Sequence, residues 1–335
     1  MNISFEEKIL TALFLCSDKP NEILRALKPE WNESVSLPVS EKCSMLDAPF
    51  SIFKVFPWKD ELSDGIDHEE FCKSFFVQPD LFLRLRPGKE KPVIQTLQDA
   101  KIDFKLISEN CVALPNTSRI DEMIELDKEA VVQDQNSQRT GEFIKSEILN
   151  RIPIAIGTKI SIWDCCAGSG GKSVMVYDIN PNIALIVSDV RESILRNLKK
   201  RFEKAGIKKY RSFIIDLTSK RSESIDLNPQ IILADVPCSG SGTWSRTPEQ
   251  LYFFDEKKID KYSGLQKKIV SNIIPQLQEG SSLIYITCSV FRKENEEAVE
   301  YIKDNFDLSL KQMEVLQGYD KKADSMFVAV FTKDL

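Results

Sequence analysis

The chain has 335 residues, of which 42% are hydrophobic and 29% charged, and its formal net charge is -6. No stretch reaches the run of about eighteen apolar residues that crosses a bilayer, and the length suits roughly two or three compact units with cores of their own. Membrane-spanning, collagen-like, disordered and mini-protein classes are excluded, and the acidic balance argues against a partner held by global charge alone.

In chain order, residues 1–75 carry apolar positions at helical spacing, as in Ile9-Leu10, Leu13-Phe14, Ile23-Leu24 and Leu27, and predict a helical N-terminal region in which no chemistry is evident. Residues 76–130 begin with an alternating run (Leu81, Leu83, Leu85). A helix from Pro92 to Ala100, two strands within Phe104 to Leu114 and a helix near Ile120 to Leu126 then follow. That order predicts a small α+β, ferredoxin- or RRM-like subdomain suited to RNA. From residue 131 to 335, strands at Ile160–Asp164, Ala184–Asp189, Arg211–Asp216, Ile231–Asp235 and Ser282–Thr287 alternate with helices at Lys172–Tyr177, Ser193–Lys204, Ser263–Leu277 and Glu294–Asn305. The expected fold is α/β, a Rossmann-like, mostly parallel sheet, with the runs Leu308–Val315 and Met326–Phe331 forming an antiparallel edge hairpin.

The start, Met1-Asn2-Ile3-Ser4-Phe5-Glu6-Glu7, has no basic lead or apolar run, which predicts a cytoplasmic protein. Cysteines at 16, 43, 72, 111, 165, 166, 238 and 288 show no CxxC pair, so free thiols are expected, with neither a disulfide framework nor a metal. The single histidine, His68, sits in an acidic stretch and is expected to be a solvated surface residue. Ser-His-Asp hydrolysis and HExxH metal binding are thereby disfavoured.

Five of the 13 glycines fall in two places, Gly168, Gly170 and Gly171, then Gly240 and Gly242, each after a predicted strand. Glycines there let backbone approach a ligand at the carboxyl edge of a parallel sheet. The first loop, Asp164-Cys165-Cys166-Ala167-Gly168-Ser169-Gly170-Gly171-Lys172-Ser173, ends like a P-loop, but Cys166 stands where the first glycine belongs. A dinucleotide GxGxxG fails too, because Ser173 occupies its third glycine position. Asp189 ends the next strand about twenty residues on, the place of a ribose-binding carboxylate, and Asp216 ends the third strand, where it would hold a base amino group. Two more strands end at thiols, in Asp235-Val236-Pro237-Cys238-Ser239-Gly240 and Thr287-Cys288-Ser289.

Together these pieces resemble the RNA cytosine-carbon-5 methyltransferases of the Sun/Nop (Fmu) type, which use S-adenosylmethionine. The resemblance covers roughly Val131 to Leu335, more weakly from Phe76. It also takes in Val132-Gln133-Asp134-Gln135-Asn136-Ser137-Gln138, Leu265-Gln266 and Glu294-Asn295-Glu296. Ser169 replaces the usual proline and Ser173 the usual threonine. The resemblance implies that Cys166, Ala167, Gly168, Ser169, Gly170, Gly171 and Lys172, with Asp189, Asp216 and Asp235, line the cofactor site, and that Cys288 is the nucleophile. Carbon 5 of cytosine is a poor nucleophile until a thiolate adds at carbon 6, so the chemistry calls for sulfur. Asp235 is then placed at cytosine N3, and Cys238 is the candidate for assisting release. Lys172 is expected to cap its helix and orient the site.

Nine basic and two acidic residues lie between Arg191 and Arg211, and Arg84, Arg86, Lys89 and Lys91 form a second basic cluster. Arg246, just after the Cys238 loop, is the expected phosphate contact. The expected partner is ribosomal or transfer RNA met by a monomer, with no membrane. The alternatives are a methyltransferase with another acceptor, a DNA cytosine or an amino group, or a non-catalytic RNA-binding or ribosome-assembly factor.

Overall fold

The computed structural model describes residues 4–46, 50–151, 159–219 and 227–334. The N-terminal part is helical among the described residues: α1 (Phe5–Cys16), α2 (Glu22–Leu27), α3 (Pro29–Glu33), α4 (Val39–Ser44) and α5 (His68–Ser74). Ser4, Asn21 and Asp67 cap α1, α2 and α5 with side-chain oxygens, which meets backbone N–H groups left open at a helix start. His68 is half-buried instead of solvated. Its Nε2 lies 2.7 Å from the Phe56 carbonyl and its ring packs on Phe53, because the helix that Asp67 caps turns it toward an aromatic cluster.

A four-stranded antiparallel sheet follows, built from β1 (Leu81–Leu85), α6 (Glu90–Asp99), β2 (Lys105–Ser108), β3 (Cys111–Leu114) and β4 (Ala130–Val132), in the order β2-β3-β1-β4. That is the ferredoxin-like order, but the helix expected near Ile120 to Leu126 is absent. Ile120 and Ile124 are buried at helical spacing in a single turn, closed by the bond from Ile124 N to Ile120 O. Asp127 then takes a left-handed conformation (φ 69°) that prevents the turn from propagating.

Next come α7 (Gln135–Leu149), β5 (Ile160–Asp164), α8 (Gly171–Ile179), β6 (Ile183–Asp189), α9 (Glu192–Ala205), β7 (Tyr210–Ile214), β8 (Ile231–Asp235), α10 (Pro248–Tyr252), α11 (Lys257–Ile273), β9 (Ser282–Thr287), α12 (Glu296–Asn305), β10 (Leu308–Leu316) and β11 (Met326–Lys333). Their sheet has the order β10-β11-β9-β8-β5-β6-β7, parallel from β9 to β7. The late hairpin is antiparallel as expected, with β11 inserted between β9 and β10.

The strands read as continuous apolar runs because both faces are covered. Ile162, Val187, Leu233 and Ile284 join the core under α7, α8 and α9, while Trp163, Ile186, Ile232 and Tyr285 join the core under α11 and α12. The chain order reverses between β5 and β8, so the loops after these strands diverge and leave a crevice at their carboxyl ends. Among the described residues no helix is long and apolar enough to cross a membrane.

Candidate active site

The glycine loop leaves β5 at Asp164 and enters α8 at Gly171. Gly170 has φ 85°, and a Cβ there would also meet Phe202 at 2.9 Å, so backbone conformation and packing both demand glycine. A Cβ on Gly168 would meet nothing within 4 Å, so that stretch faces open space at the strand ends. The loop is tied to β6 by Ala167 N donating to Ser188 O at 2.9 Å and Gly168 N donating to Asp189 Oδ2 at 3.0 Å.

Asp189 is buried, which opposes its charge, but the Arg191 side chain and backbone N–H outweigh that and hold its carboxyl below the ordinary range. Asp216 lies exposed two residues past β7, and bonds from Thr218 hold it low as well. Asp164 is fully buried, accepts from Ser173 Oγ at 2.5 Å through Oδ2 and has no partner at Oδ1. Burial pushes its carboxyl up to about 7, with Asp235 adding to the rise. Cys165 is buried and Cys166 half-buried beside it.

Lys172 does more than cap a helix. It is buried, and its Nζ donates to Asp235 Oδ2 at 2.8 Å and to Ser137 Oγ at 3.2 Å, joining α8 to the end of β8 and to α7. Burial pulls its pKa down, and Asp235 and Cys288 more than restore it, so the ammonium form is held. Helix α7 was not among the expected elements. Its first turn repeats little but polar residues, and Ser137 carried no signal of its own beyond its place in the 132–138 run.

The two remaining loops leave the adjacent parallel strands β8 and β9, and the sulfurs of Cys238 and Cys288 stand 3.3 Å apart, both half-buried. Gly242 N donates to the Cys288 carbonyl at 2.9 Å, and a Cβ on Gly242 would lie 2.0 Å from the Ser325 carbonyl oxygen. This glycine therefore serves close approach of backbone to backbone, where a ligand contact was expected. Neighbouring Cys288 and burial push the Cys238 thiol well above its usual range.

Beneath the two thiols, buried Glu294 accepts from Ser239 N (2.8 Å) and Gln266 Nε2 (3.0 Å) at Oε2 and from Ser289 Oγ (2.8 Å) at Oε1. The aromatic cluster of Phe56, Phe71, Trp244, Phe254 and Phe291 supports these loops from behind. Phe56 and Phe71 come from the N-terminal region in which no chemistry was evident.

Arg246 is placed differently from its expected role. Its Nε donates to Asp324 (2.7 Å), its Nη1 to the Asp80 carbonyl (2.8 Å) and its Nη2 to Asp134 (2.8 Å). The guanidinium thus pins the start of β11 and the cap of α7 instead of facing solvent with a free fork.

Residues 151–331 match the family described as 16S rRNA methyltransferase RsmB/F. The chain belongs to that family. Among RsmB/F relatives, ribosomal RNA small subunit methyltransferase B of Proteus mirabilis is 28% identical over 170 residues, 50% of this chain and 37% of that protein. Its counterpart in Photorhabdus laumondii is 28% identical over 212 residues, 60% of this chain and 46% of that protein. The matches therefore span less than half the length of these curated relatives. NSun6 from Pyrococcus horikoshii, solved with SFG, shares the fold with a TM-score of 0.67 at 13% identity, covering 84% of this chain and 96% of that one. A methyltransferase homolog from Pyrococcus horikoshii does so at 0.64 and 18%, covering 82% and 92%.

Proposed function

We propose that this RsmB/F family member transfers a methyl group from S-adenosylmethionine to carbon 5 of a cytosine in ribosomal or transfer RNA through a covalent bond from Cys288. The observation that carries the reading is the pair of sulfurs 3.3 Å apart at the ends of neighbouring strands, beside the Lys172–Asp235 ion pair. Two thiols in contact suit a reaction in which one attacks a ring and the other handles the proton that must leave.

The glycine loop fits a nucleoside cofactor. Open space over Gly168, the buried carboxylate of Asp189 and the exposed one of Asp216 line successive strand ends, as such a ligand requires. Residues Cys166 to Lys172 with Asp189, Asp216 and Asp235 would hold S-adenosylmethionine, which supplies an electrophilic methyl group when bound.

Cys288 Sγ adds to carbon 6, and electron density moves to N3 and carbon 5. N3 takes the proton of the Cys238 S–H as the ring is attacked, and the Asp235 carboxylate, fixed by Lys172, accepts a hydrogen bond from that N3–H and so stabilises the adduct. Carbon 5, now nucleophilic, takes the methyl group. Before attack, the Cys238 S–H donates to the Cys288 sulfur and favours negative charge there. Once Cys288 is a thioether that charge is gone, and Cys238, its proton passed to N3, stands as the thiolate. The Cys238 thiolate then takes the proton from carbon 5, the carbon–sulfur bond breaks to free Cys288 as its thiolate, and the N3 proton leaves to solvent with the product.

RNA single strands and loops present such a base at the lowest unstacking cost. The basic face of α9 supplies phosphate contacts, and Arg246 acts as a cross-link within the protein.

The test is methyl transfer from labelled S-adenosylmethionine to total RNA, compared with DNA and with no nucleic acid, together with two variants. Cys238→Ala accumulates a denaturant-resistant protein–RNA adduct, and Cys288→Ala forms none. Adduct in the second variant but not the first reverses the assignment. Label in DNA, or in no nucleic acid, favours the alternative readings.

A further inference from the structure

Strands β8 and β9 are parallel neighbours, so α11, which connects them, runs back along the sheet and begins at the carboxyl edge, on the same rim as the two thiols. Between the Cys238 loop and α11 the chain reads Tyr252-Phe253-Phe254. Phe254 packs into the aromatic cluster behind the loops, but Tyr252 is 81% and Phe253 72% exposed, their rings at right angles with centroids 4.9 Å apart.

Phe253 forms one wall of a cavity of about 240 Å³, with Trp244, Phe254 and Tyr262 as further aromatic walls. Ser239, next to Cys238, lines it as well. So does Gln250, whose Oε1 would lie 3.8 Å from a Cβ on Gly240, so its amide reaches over the Cys238 loop. An aromatic cradle with polar edges therefore opens directly beside the thiol pair.

Lys258 and Tyr262 also line a second cavity, of about 570 Å³, which continues along α11 past Lys261, Gly264 and Lys268. The three lysines are exposed, fall at spacings of three and seven that keep them on one face of the helix, and make no ion pair among the described residues. Against them stand Glu249 on the first cavity and Asp260 on the second, and Asp260 is held by Lys293 at 3.0 Å. On a chain with a net charge of -6 this face is locally basic. Gly264 adds a separate signal. Glycine in the middle of a helix weakens it relative to alanine, yet its φ is not positive and a Cβ there would meet nothing within 4 Å among the described residues. Neither backbone conformation nor internal packing calls for glycine, and the missing side chain leaves room for a chain from outside to come close.

We propose that the two adjoining cavities hold single-stranded RNA next to the target cytosine: the base of a flanking nucleotide stacks on Phe253 in the first, with Tyr252 at its mouth, and the backbone crosses Gly264 in the second, its phosphates between Lys258, Lys261 and Lys268. This subsite rests on the reading of the chain as an RNA methyltransferase and goes further by naming where the strand beyond the target base lies. Stacking on an aromatic ring requires a base outside a duplex and tolerates any sequence, and lysines hold phosphates without reading bases. The subsite therefore selects unpaired RNA, the state in which the target base itself is cheapest to present.

The experiment measures binding of a fluorescein-labelled single-stranded RNA of about twelve nucleotides, with a central cytosine flanked by 5-iodouridine, by anisotropy over a range of salt and by photo-crosslinking with peptide mapping. Phe253→Ala weakens binding about tenfold, within the range that base stacking supplies. The double variant Lys261→Ala, Lys268→Ala flattens the slope of log Kd against log salt by about 1.4, the loss of two phosphate contacts to a single strand. Gly264→Glu weakens binding at least about tenfold with a melting temperature unchanged or raised, which separates a blocked surface from a damaged fold. In the wild type the iodouridine crosslinks to Tyr252 or Phe253.

RNA affinity untouched by Phe253→Ala, as a protein-docking surface would give, overturns the proposal. Wild-type affinity in Gly264→Glu, or crosslinks confined to α9 and the 81–132 sheet, overturns it too. Binding and crosslinking need neither cofactor nor turnover. If they depend on this face in a chain that methylates no RNA, the functional reading falls and the subsite stands. If the variants methylate RNA at the wild-type kcat/KM, the subsite falls and the functional reading stands.

Discussion

Asp164 offers a direct measurement of what the strand-end crevice costs the fold. Its carboxyl is fully buried at the head of the glycine loop, bonded only by Ser173, and burial raises it from its ordinary 3.8 to about 7. A carboxyl raised in the folded state contributes stability that is complete below its unfolded value and is lost as the pH climbs through the folded one. The window is therefore about pH 4 to 7. Roughly three pH units at about 1.4 kcal/mol each set a ceiling of ~4 kcal/mol.

In Asp164→Asn the Asn oxygen still accepts from Ser173, and nothing titrates at this position. Urea unfolding of both chains at half-unit steps, from about pH 4 to 8, isolates the effect, because every other group cancels in the difference. The Asn chain gains on the wild type progressively, by about 2 to 4 kcal/mol at the upper end. A difference that stays flat with pH would refute the buried carboxyl bonded at one oxygen only, and with it the closed geometry of the loop.

Gly242→Ala places a Cβ 2.0 Å from the Ser325 carbonyl oxygen and 3.0 Å from that of Cys288, so the variant loses several kcal/mol of stability and its thiol pair separates. A normal melting temperature would contradict this packing. Arg246→Met removes a cross-link to Asp134, Asp324 and the Asp80 carbonyl, and as the guanidinium is about a quarter exposed the cost is about 2 to 4 kcal/mol in urea unfolding. A phosphate contact would instead leave stability unchanged and weaken RNA binding with a smaller salt slope. Diamide closes one intramolecular disulfide between Cys238 and Cys288, visible in a non-reducing peptide map. Closure confined to Cys165 and Cys166, whose sulfurs are 4.0 Å apart, would show that the 3.3 Å contact does not exist in solution. Phe56→Ala, at a fully buried ring, costs about 3 to 5 kcal/mol and raises hydrogen exchange at residues 241–244 and 290–291; exchange confined to residues 50–76 would argue against support of the loops.

The strands β5, β6, β8 and β9 were legible because each is a short apolar run ending at an acidic residue or threonine, bounded by turn residues, and burial on both faces leaves no competing helical period. The two thiols were legible as strand-end residues, and their approach follows from β8 and β9 being parallel neighbours. The helix expected near Ile120 failed because spacing reports which residues are buried, not whether the backbone between them continues. A left-handed Asp127 stops it, and nothing in Glu125-Leu126-Asp127-Lys128 announces that conformation. Arg246 was misread for a related reason. Its partners Asp80, Asp134 and Asp324 are far away in sequence, so local reading finds an unpaired cation beside a reactive loop where the fold makes a three-way junction.

The same distance in sequence explains why the N-terminal region looked chemically idle. The loops after β8 and β9 are built from Ser239, Gly240, Ser241, Gly242 and Ser289, residues too small to hold one another by apolar contact. Their polar bonds converge on Glu294, a single buried carboxylate, and such a network keeps its geometry only where water is excluded. Exclusion comes from Trp244 and Phe291, the large residues that follow each loop, and from Phe56 and Trp58, which pack on them from a segment far upstream in the chain, with Phe71 packed behind Phe56. Ser63 makes the tie polar as well, with its N–H on the Val290 carbonyl and its hydroxyl on Glu296. A pair of thiols carried on loops of small residues is thus held in place by aromatic residues packed behind those loops.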